Sequence, residues 1–281
     1  MELSILRFGL SFALSIGYWD ANTRIARSSC TSLSHTSNRR QIEKPISSAA
    51  LRALKVVFLG SVMLFTCYAF PLLSSGGMVL SYLIVARKYL SLPSSQYPVY
   101  TSRGRVQWHT FHHLHLSGLC ALGALAAAIV DNVIPGPHSS RVFDQYLTSI
   151  ICACIGAHYF MAALGKTAHH GLRWANSRVM PFYTALLRSY TLGDTGRDSD
   201  NTLQDWILKN PVLGIFLLMV TWVIEACGVI YAVYPISRPY IGMAWVAMHT
   251  VIWYMFRIDF RESGFIIGVF TLLPIIISWS A

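Results

Sequence analysis

Charged residues are scarce in this chain of 281 residues. Lys, Arg, Asp and Glu together make up 12% of the chain, about half of the share found in ordinary soluble domains. Hydrophobic residues make up 54%, and the mean hydropathy is +0.49. Because so little polar surface cannot cover a globule in water, the composition excludes a disordered chain, a coiled coil and an ordinary cytosolic enzyme.

Several familiar sequence signatures are also absent. The six cysteines form no CxxC pair, so we expect neither a disulfide framework nor a zinc site. No P-loop, GxGxxG turn, GxSxG elbow or NDxxD signature occurs, which leaves nucleotide-driven transport, serine hydrolysis and prenyl transfer without support. The net charge of +10 lies in separate loops and forms no continuous basic patch, so no nucleic-acid partner is expected.

Long apolar runs dominate what is present. Most are close to the roughly 20 residues that cross a bilayer as a helix. They predict an all-α polytopic membrane protein, a helical bundle of about eight transmembrane helices in a single membrane domain. The runs cover residues 3–19, 54–73, 78–90, 111–130, 142–165, 212–234, 240–256 and 265–280. Segment 78–90 is short, so a re-entrant segment is the alternative there.

The basic residues fall on one side of this eight-span arrangement. Eighteen lie in loops 20–53, 87–108, 166–211 and 257–263, against two, Arg141 and Arg238, in the opposite loops. By the positive-inside rule we expect the basic loops in the cytosol and both termini on the other side. A eukaryotic chain of this kind would lie in the endoplasmic reticulum or another endomembrane.

The first apolar run has the length of a signal peptide, but its charges are in the reverse order. Glu2 precedes the run, and Arg24 and Arg27 follow it, whereas a signal peptide is basic before its apolar part. We therefore expect the run to be retained as a span. The stretch 24–40 is rich in Arg and Ser and poor in acids, so a transit peptide remains the alternative.

Four ionisable residues inside the apolar runs or at their ends are the candidate acid/base groups: His158, Lys166, Glu225 and His249. Each costs about 2.5 kcal/mol or more in a bilayer and needs a reason to be there. Helix geometry puts the two histidines about 10–12 Å from the basic face, Lys166 close to that face and Glu225 roughly 20 Å from it. These depths allow one polar pocket that opens toward the basic side.

Each of these residues has a plainer interpretation as well. A lysine at a span end can simply extend its ammonium toward water. Glu225 has no basic residue within four positions, so we expect it either to be protonated and bonded to another helix or to meet a histidine. A buried structural hydrogen bond between helices would satisfy it without any catalysis.

A cluster of histidines precedes the fourth run. His109, His112 and His113 have the i, i+3 and i+4 spacing that stacks ligands on one helical face, as a multi-histidine metal site requires. HxxHH resembles the histidine box of membrane fatty-acid desaturases and hydroxylases, in which such boxes hold two irons, and also that of fatty-acid elongases. His169 and His170 resemble a second box. The alternative is that these histidines cap a helix at the membrane surface.

A longer resemblance covers most of the chain. It comprises Leu6-Arg7-Phe8-Gly9, the stretch His158–Lys166 followed by Trp174, Glu225, Pro235-Ile-Ser-Arg238-Pro239, Gly242, His249, Phe256 and Pro274. This pattern is similar to that of the horizontally transferred transmembrane (HTTM) superfamily, to which vitamin K-dependent γ-glutamyl carboxylase belongs.

The resemblance implies a membrane enzyme whose substrate is lipophilic, such as a quinol, an isoprenoid or an acyl lipid. Lys166 would be the base, with His158, Glu225 and His249 as further acid/base groups. Arg238 would orient its turn and, with Trp174, contact the substrate. No cofactor is firmly implied. Glutamyl carboxylation itself is not expected, because the carboxylase's large extramembrane domain has no counterpart here and Lys166 is expected on the cytosolic side.

Two further alternatives stay open. Small membrane terpene cyclases use intramembrane acids to protonate a lipophilic substrate, and here Glu225 and Asp131 would be those acids. A non-catalytic membrane subunit or a transporter, in which the buried polar groups only join helices, is the alternative from a different class.

Overall fold

The computed structural model of the chain describes residues 4–31, 47–90, 96–100, 106–110, 113–134, 139–171, 175–179, 202–256 and 261–272. The α-helices are α1 Ile5–Thr31, α2 Ser48–Thr66, α3 Pro71–Leu90, α4 His113–Val133, α5 Ser140–His170, α6 Thr202–Lys209, α7 Pro211–Ala226, α8 Gly228–Val233, α9 Arg238–Phe256 and α10 Arg261–Ile267. A 3₁₀ turn covers Pro235–Ser237, and a π-helical turn covers Gly268–Leu272.

A two-stranded sheet departs from the expected all-α chain. Strands β1 (Gln96–Tyr100) and β2 (Val106–Thr110) pair with each other between α3 and α4. Both strands contain valine and aromatic residues, which favour extended backbone. The region that we expected to be only a basic loop therefore contains a small sheet.

Four helical segments of the described chain are long and apolar enough to cross a membrane. They are Ser48–Thr66, His115–Val133, Ser140–Ala168 and Pro211–Val233, the last of which comprises α7 and α8. The prediction of a helical membrane protein is thereby confirmed, whereas the count of eight spans stays a prediction.

The second and third helices meet at a different place from the one we expected. Helix α2 ends at Thr66, and Tyr68 and Phe70 then adopt left-handed backbone conformations with φ of 54° and 49°. Helix α3 begins at Pro71, seven residues before the expected start at Met78. Proline suits this position because the first turn of a helix needs no backbone N–H from it.

By its contacts the chain divides into two compact units, which are described separately; the single membrane domain stays a prediction. Unit 1 comprises residues 1–97, 109–155 and 261–281. Its interior is mostly apolar and aromatic, with Phe58, Phe65 and Phe143 fully buried.

An ion pair is buried within unit 1. The Arg7 side chain is 0% exposed, and its Nε donates to Asp144 Oδ1 at 3.0 Å. The same guanidinium donates to the Thr66 carbonyl at 3.2 Å and lies over the Tyr68 ring. The Tyr68 hydroxyl donates to Asp131 Oδ2 at 2.8 Å. These contacts join α1 to the end of α2, to the left-handed turn and to α5.

Unit 2 comprises residues 98–108 and 156–260. In it the C-terminal half of α5 packs on α7 and α8 with backbone in contact at Gly156 and Gly228. A Cβ on Gly228 would overlap the Gly156 carbonyl oxygen and lie 2.8 Å from the Phe160 nitrogen. Glycine at both positions is what lets these helices approach so closely.

We expect Arg7→Met to lower the free energy of unfolding by roughly 3 kcal/mol, because it leaves the Asp144 carboxylate without its cation. The midpoint of thermal unfolding of the purified protein in detergent measures this change. The double variant Arg7→Met/Asp144→Leu removes both charges and should recover much of the loss. A single variant as stable as the wild type would contradict the structural role of the pair.

We expect Gly228→Ala to destabilise the protein by about 2 kcal/mol, because the added Cβ overlaps backbone atoms, which cannot move away by rotating as a side chain could. Gly165→Ala on α5 is the matched control, since nothing lies within 4 Å of its Cβ position. Alanine there should leave stability unchanged or raise it by up to about 1 kcal/mol. Equal midpoints of thermal unfolding for the two variants would argue against the close contact.

Candidate functional site

Lys166 on α5 and Glu225 on α7 form an ion pair in unit 2. Lys166 Nζ lies 2.6 Å from Glu225 Oε1 and 2.5 Å from Oε2, so both carboxylate oxygens accept from the ammonium. The side chain of Glu225 is 9% exposed and that of Lys166 is 31% exposed. We expected Glu225 to meet another helix as an acid or to meet a histidine; its partner is instead a lysine.

The antiparallel register of the two helices brings this pair together. The Trp222 indole donates to Thr167 Oγ1 at 2.8 Å, one residue beyond Lys166, while Gly228 meets Gly156 further back along α5. Residue numbers therefore decrease along α5 in the direction in which they increase along α7 and α8, so α5 runs antiparallel to both. The bond from Trp222 also fixes the turn of α5 that carries Lys166.

This register offsets the ends of the two helices. Glu225 lies fourteen residues after Pro211, the first residue of α7, which is about 21 Å along the helix. Lys166 pairs with Glu225 and lies four residues before His170, the last residue of α5. The two expected depths, close to the basic face for Lys166 and roughly 20 Å from it for Glu225, therefore cannot both hold.

A second polar contact joins α5 to α9. The Tyr159 hydroxyl and His249 Nε2 share a short hydrogen bond. The Tyr159 side chain is 3% exposed, and its ring stacks on the buried Trp245 ring with the centroids 4.1 Å apart. The tyrosine is thus held between a flat apolar surface and an imidazole, with its hydroxyl directed at the ring nitrogen.

The two contacts lie in the same neighbourhood. The His158 ring meets the Tyr159 ring edge-on with centroids 5.3 Å apart, and Tyr159 lies seven residues before Lys166, on the same face of α5. His158 and His249 therefore both contact Tyr159, while Lys166 and Glu225 contact each other two turns further along α5.

Trp245 positions α9 beside Glu225. Its side chain is fully buried, and its Nε1 donates to the Ile224 carbonyl at 3.0 Å, next to Glu225 in the chain. The Tyr231 ring packs against the Trp245 ring, with the two centroids 4.7 Å apart. One indole thus connects the helix that carries His249 to the helix that carries Glu225.

Arg238 lies where α9 begins and bonds to the backbone. Its Nε donates to the Tyr231 carbonyl at 3.2 Å and its Nη2 to the Ala232 carbonyl at 3.3 Å. This geometry suits the expected role of orienting the turn between α8 and α9. Substrate binding by Arg238 stays a prediction, and Trp174 lies outside the described residues.

The expected helical row of histidines does not form. His109 lies on β2, and His113 is the first residue of α4, so the two do not share a helical face. The extended backbone of 106–110 follows from its valine and aromatic content. His112 lies outside the described residues, and the side chains of His109, His113, His169 and His170 are not described.

Among the described side chains, no group of three or more His, Cys, Asp or Glu residues is arranged to hold a metal ion. A di-iron centre built from the five histidines stays a prediction. The second acid considered for terpene cyclisation, Asp131, lies in unit 1 and accepts from Tyr68, whereas Glu225 belongs to unit 2.

Three residues that shape the site were missed from the sequence. Tyr159, Trp222 and Trp245 lie inside apolar runs, where aromatic residues are ordinary. The i+4 spacing of Trp245 and His249 and the i+3 spacing of Trp222 and Glu225 put each aromatic on the face of an ionisable residue. That spacing could have found the two tryptophans, and Tyr159 lies within the stretch His158–Lys166 that carries the HTTM resemblance.

The comparisons with known proteins found no relative of this chain. No family model, no curated protein and no solved structure matches the chain. The resemblance to the HTTM superfamily therefore stays a prediction.

Proposed function

We propose that the protein is an integral membrane enzyme that transfers protons to or from a lipophilic substrate. The observation that carries the proposal is the Lys166–Glu225 pair, with Lys166 Nζ 2.5 and 2.6 Å from the carboxylate oxygens, beside the Tyr159–His249 hydrogen bond. These two contacts place four ionisable side chains on three apolar helices, which is more than the packing of the helices requires. The HTTM resemblance supports the same role for Lys166.

The pair supplies a base in the following way. In surroundings of low polarity an ammonium and a carboxylate in contact can exchange one proton and become a neutral amine and a neutral acid. The free amine of Lys166 can then take a proton from a weakly acidic O–H or C–H group of the substrate. The resulting ammonium lies beside the substrate anion and stabilises its charge.

Tyr159 and His249 form the second acid/base pair. One proton lies between the hydroxyl and Nε2, so either partner can act as the donor. When the substrate anion goes on to product, this pair can return a proton to it. The stacked Trp245 ring holds Tyr159 in place, which preserves the geometry that proton transfer requires.

We also propose the topology that such an enzyme would have. Eight spans would put the basic loops in the cytosol and both termini on the opposite side, in the endoplasmic reticulum or another endomembrane. The excess of basic residues in loops 20–53 and 166–211 supports this orientation. Helices α1, α3 and α9, of 27, 20 and 19 residues, are long enough to be spans beyond the four.

Lys166→Met and Glu225→Gln should each lower turnover at least about 100-fold, because either change removes one partner of the proton-sharing pair. Purified full-length protein is incubated with a total membrane lipid extract, and consumed and newly formed lipids are identified by mass spectrometry. Lys209→Met is the matched control, since Lys209 is exposed at the end of α6.

Protein yield and elution profile are followed for every variant. Unchanged turnover in Lys166→Met would refute the role of the pair. Failure of the wild type to convert any lipid, with both site variants poorly folded, would instead indicate a non-catalytic subunit or a transporter.

Cysteine labelling in sealed vesicles tests the topology. Ser47 caps α2 and Ser139 precedes α5, so Ser47→Cys and Ser139→Cys are a matched pair at helix starts, made in a Cys30→Ser background. A membrane-impermeant maleimide should label the first from the cytosolic side and the second only after permeabilisation. Labelling of both from one side would show that one of α2, α3 and α4 does not cross.

A further inference from the structure

Helices α1 and α2 contact each other in unit 1 at the places where two apolar runs of the sequence end. The first run ends at Trp19, and the second begins at Leu54. In the structure Lys55 Nζ lies 3.7 Å from the centroid of the Trp19 ring, and the Tyr18 and Phe58 rings stack with centroids 4.0 Å apart. Lys55 lies seven residues after Ser48, where the candidate span Ser48–Thr66 begins, and a lysine this close to a span end can extend its ammonium to the level of the lipid headgroups.

Two basic side chains lie close to this contact. Arg52 lies three residues before Lys55 on α2 and is exposed, so both cations project from neighbouring positions on the helix. The first turn of α2 carries no acidic residue, and no carboxylate among the described side chains pairs with either cation. The stretch between the two apolar runs, residues 20–53, contains six basic residues and two acidic ones.

An apolar strip continues from Arg52 along the same face of α2. Val56, Leu59 and Met63 follow at helical spacing and are 71%, 43% and 71% exposed. The two cations suit the phosphate of a phospholipid headgroup, and the exposed apolar side chains beside them suit its acyl chains. A free phosphate would contact only the cations.

We propose that Trp19, Arg52 and Lys55 form a binding site for the headgroup of an anionic phospholipid, whose acyl chains lie along Val56, Leu59 and Met63. The indole holds the Lys55 ammonium by a cation–π contact, so less side-chain freedom is lost when a phosphate binds. The Trp19 side chain is 56% exposed, which leaves the other side of this contact open to a headgroup. Anionic lipids are concentrated in the cytosolic leaflet, on the side where basic loops lie.

Native mass spectrometry of the full-length protein in detergent tests the site. The protein is titrated with phosphatidylserine, with phosphatidylcholine of the same acyl chains and with inorganic phosphate. We expect phosphatidylserine to be retained preferentially. Arg52→Gln/Lys55→Gln should weaken its retention by about fivefold for each charge removed, and Trp19→Leu should weaken it to a smaller extent.

Arg141→Gln is the control, because Arg141 is exposed at the start of α5, in one of the loops poor in basic residues. It should leave phosphatidylserine retention unchanged. Equal retention of the two lipids, an equal loss in Arg141→Gln, or displacement of phosphatidylserine by inorganic phosphate would each overturn the proposal. The readout counts bound lipid and is independent of any catalytic activity.

Discussion

Moving a lysine and a carboxylate out of water costs several kcal/mol for each ion, and only close contact between the two recovers that cost. Lys166 and Glu225 lie on different helices, so unit 2 must pack α5 against α7 in one register to bring them together. The contact between Gly156 and Gly228 permits this approach, and the bond from Trp222 to Thr167 fixes its register. Much of the packing in unit 2 can be understood as the arrangement that keeps this pair intact.

Unit 1 meets the same requirement with a pair of different character. Arg7 is fully buried and bonds both to Asp144 and to a backbone carbonyl, and a guanidinium does not lose its proton in proteins. Lys166 is a third exposed, and its ammonium donates to both oxygens of the Glu225 carboxylate. The Arg7 pair is therefore suited to holding helices, whereas the Lys166 pair is the one that our proposal uses for proton transfer.

The sequence was informative about individual ionisable residues and poor at pairing them. Glu225 was recognisable because an acid within an apolar run, without a basic neighbour on its own helix, needs a partner elsewhere. Its partner could not be identified, because depth counted from the ends of runs assumes that all helices begin at one plane. Helix α5 ends four residues after Lys166, whereas α7 begins fourteen residues before Glu225, so the ends of these two helices lie at different levels. Likewise, helical spacing grouped His109 with His113, but the local preference of 106–110 for extended backbone separated them.

The ion pair also favours one kind of chemistry over another. Both oxygens of the Glu225 carboxylate accept from the Lys166 ammonium, so in this arrangement the proton that a terpene cyclisation would need from Glu225 lies on Lys166. Lys166 becomes a base only when that proton passes to Glu225, which is the exchange on which the proposed proton abstraction depends. Glu225 lies about 21 Å along the apolar segment Pro211–Val233, and a pair formed there is reached most easily by molecules that dissolve in the bilayer. The position of the pair along this segment, more than the identity of any one residue, is what supports the proposed lipophilic substrate.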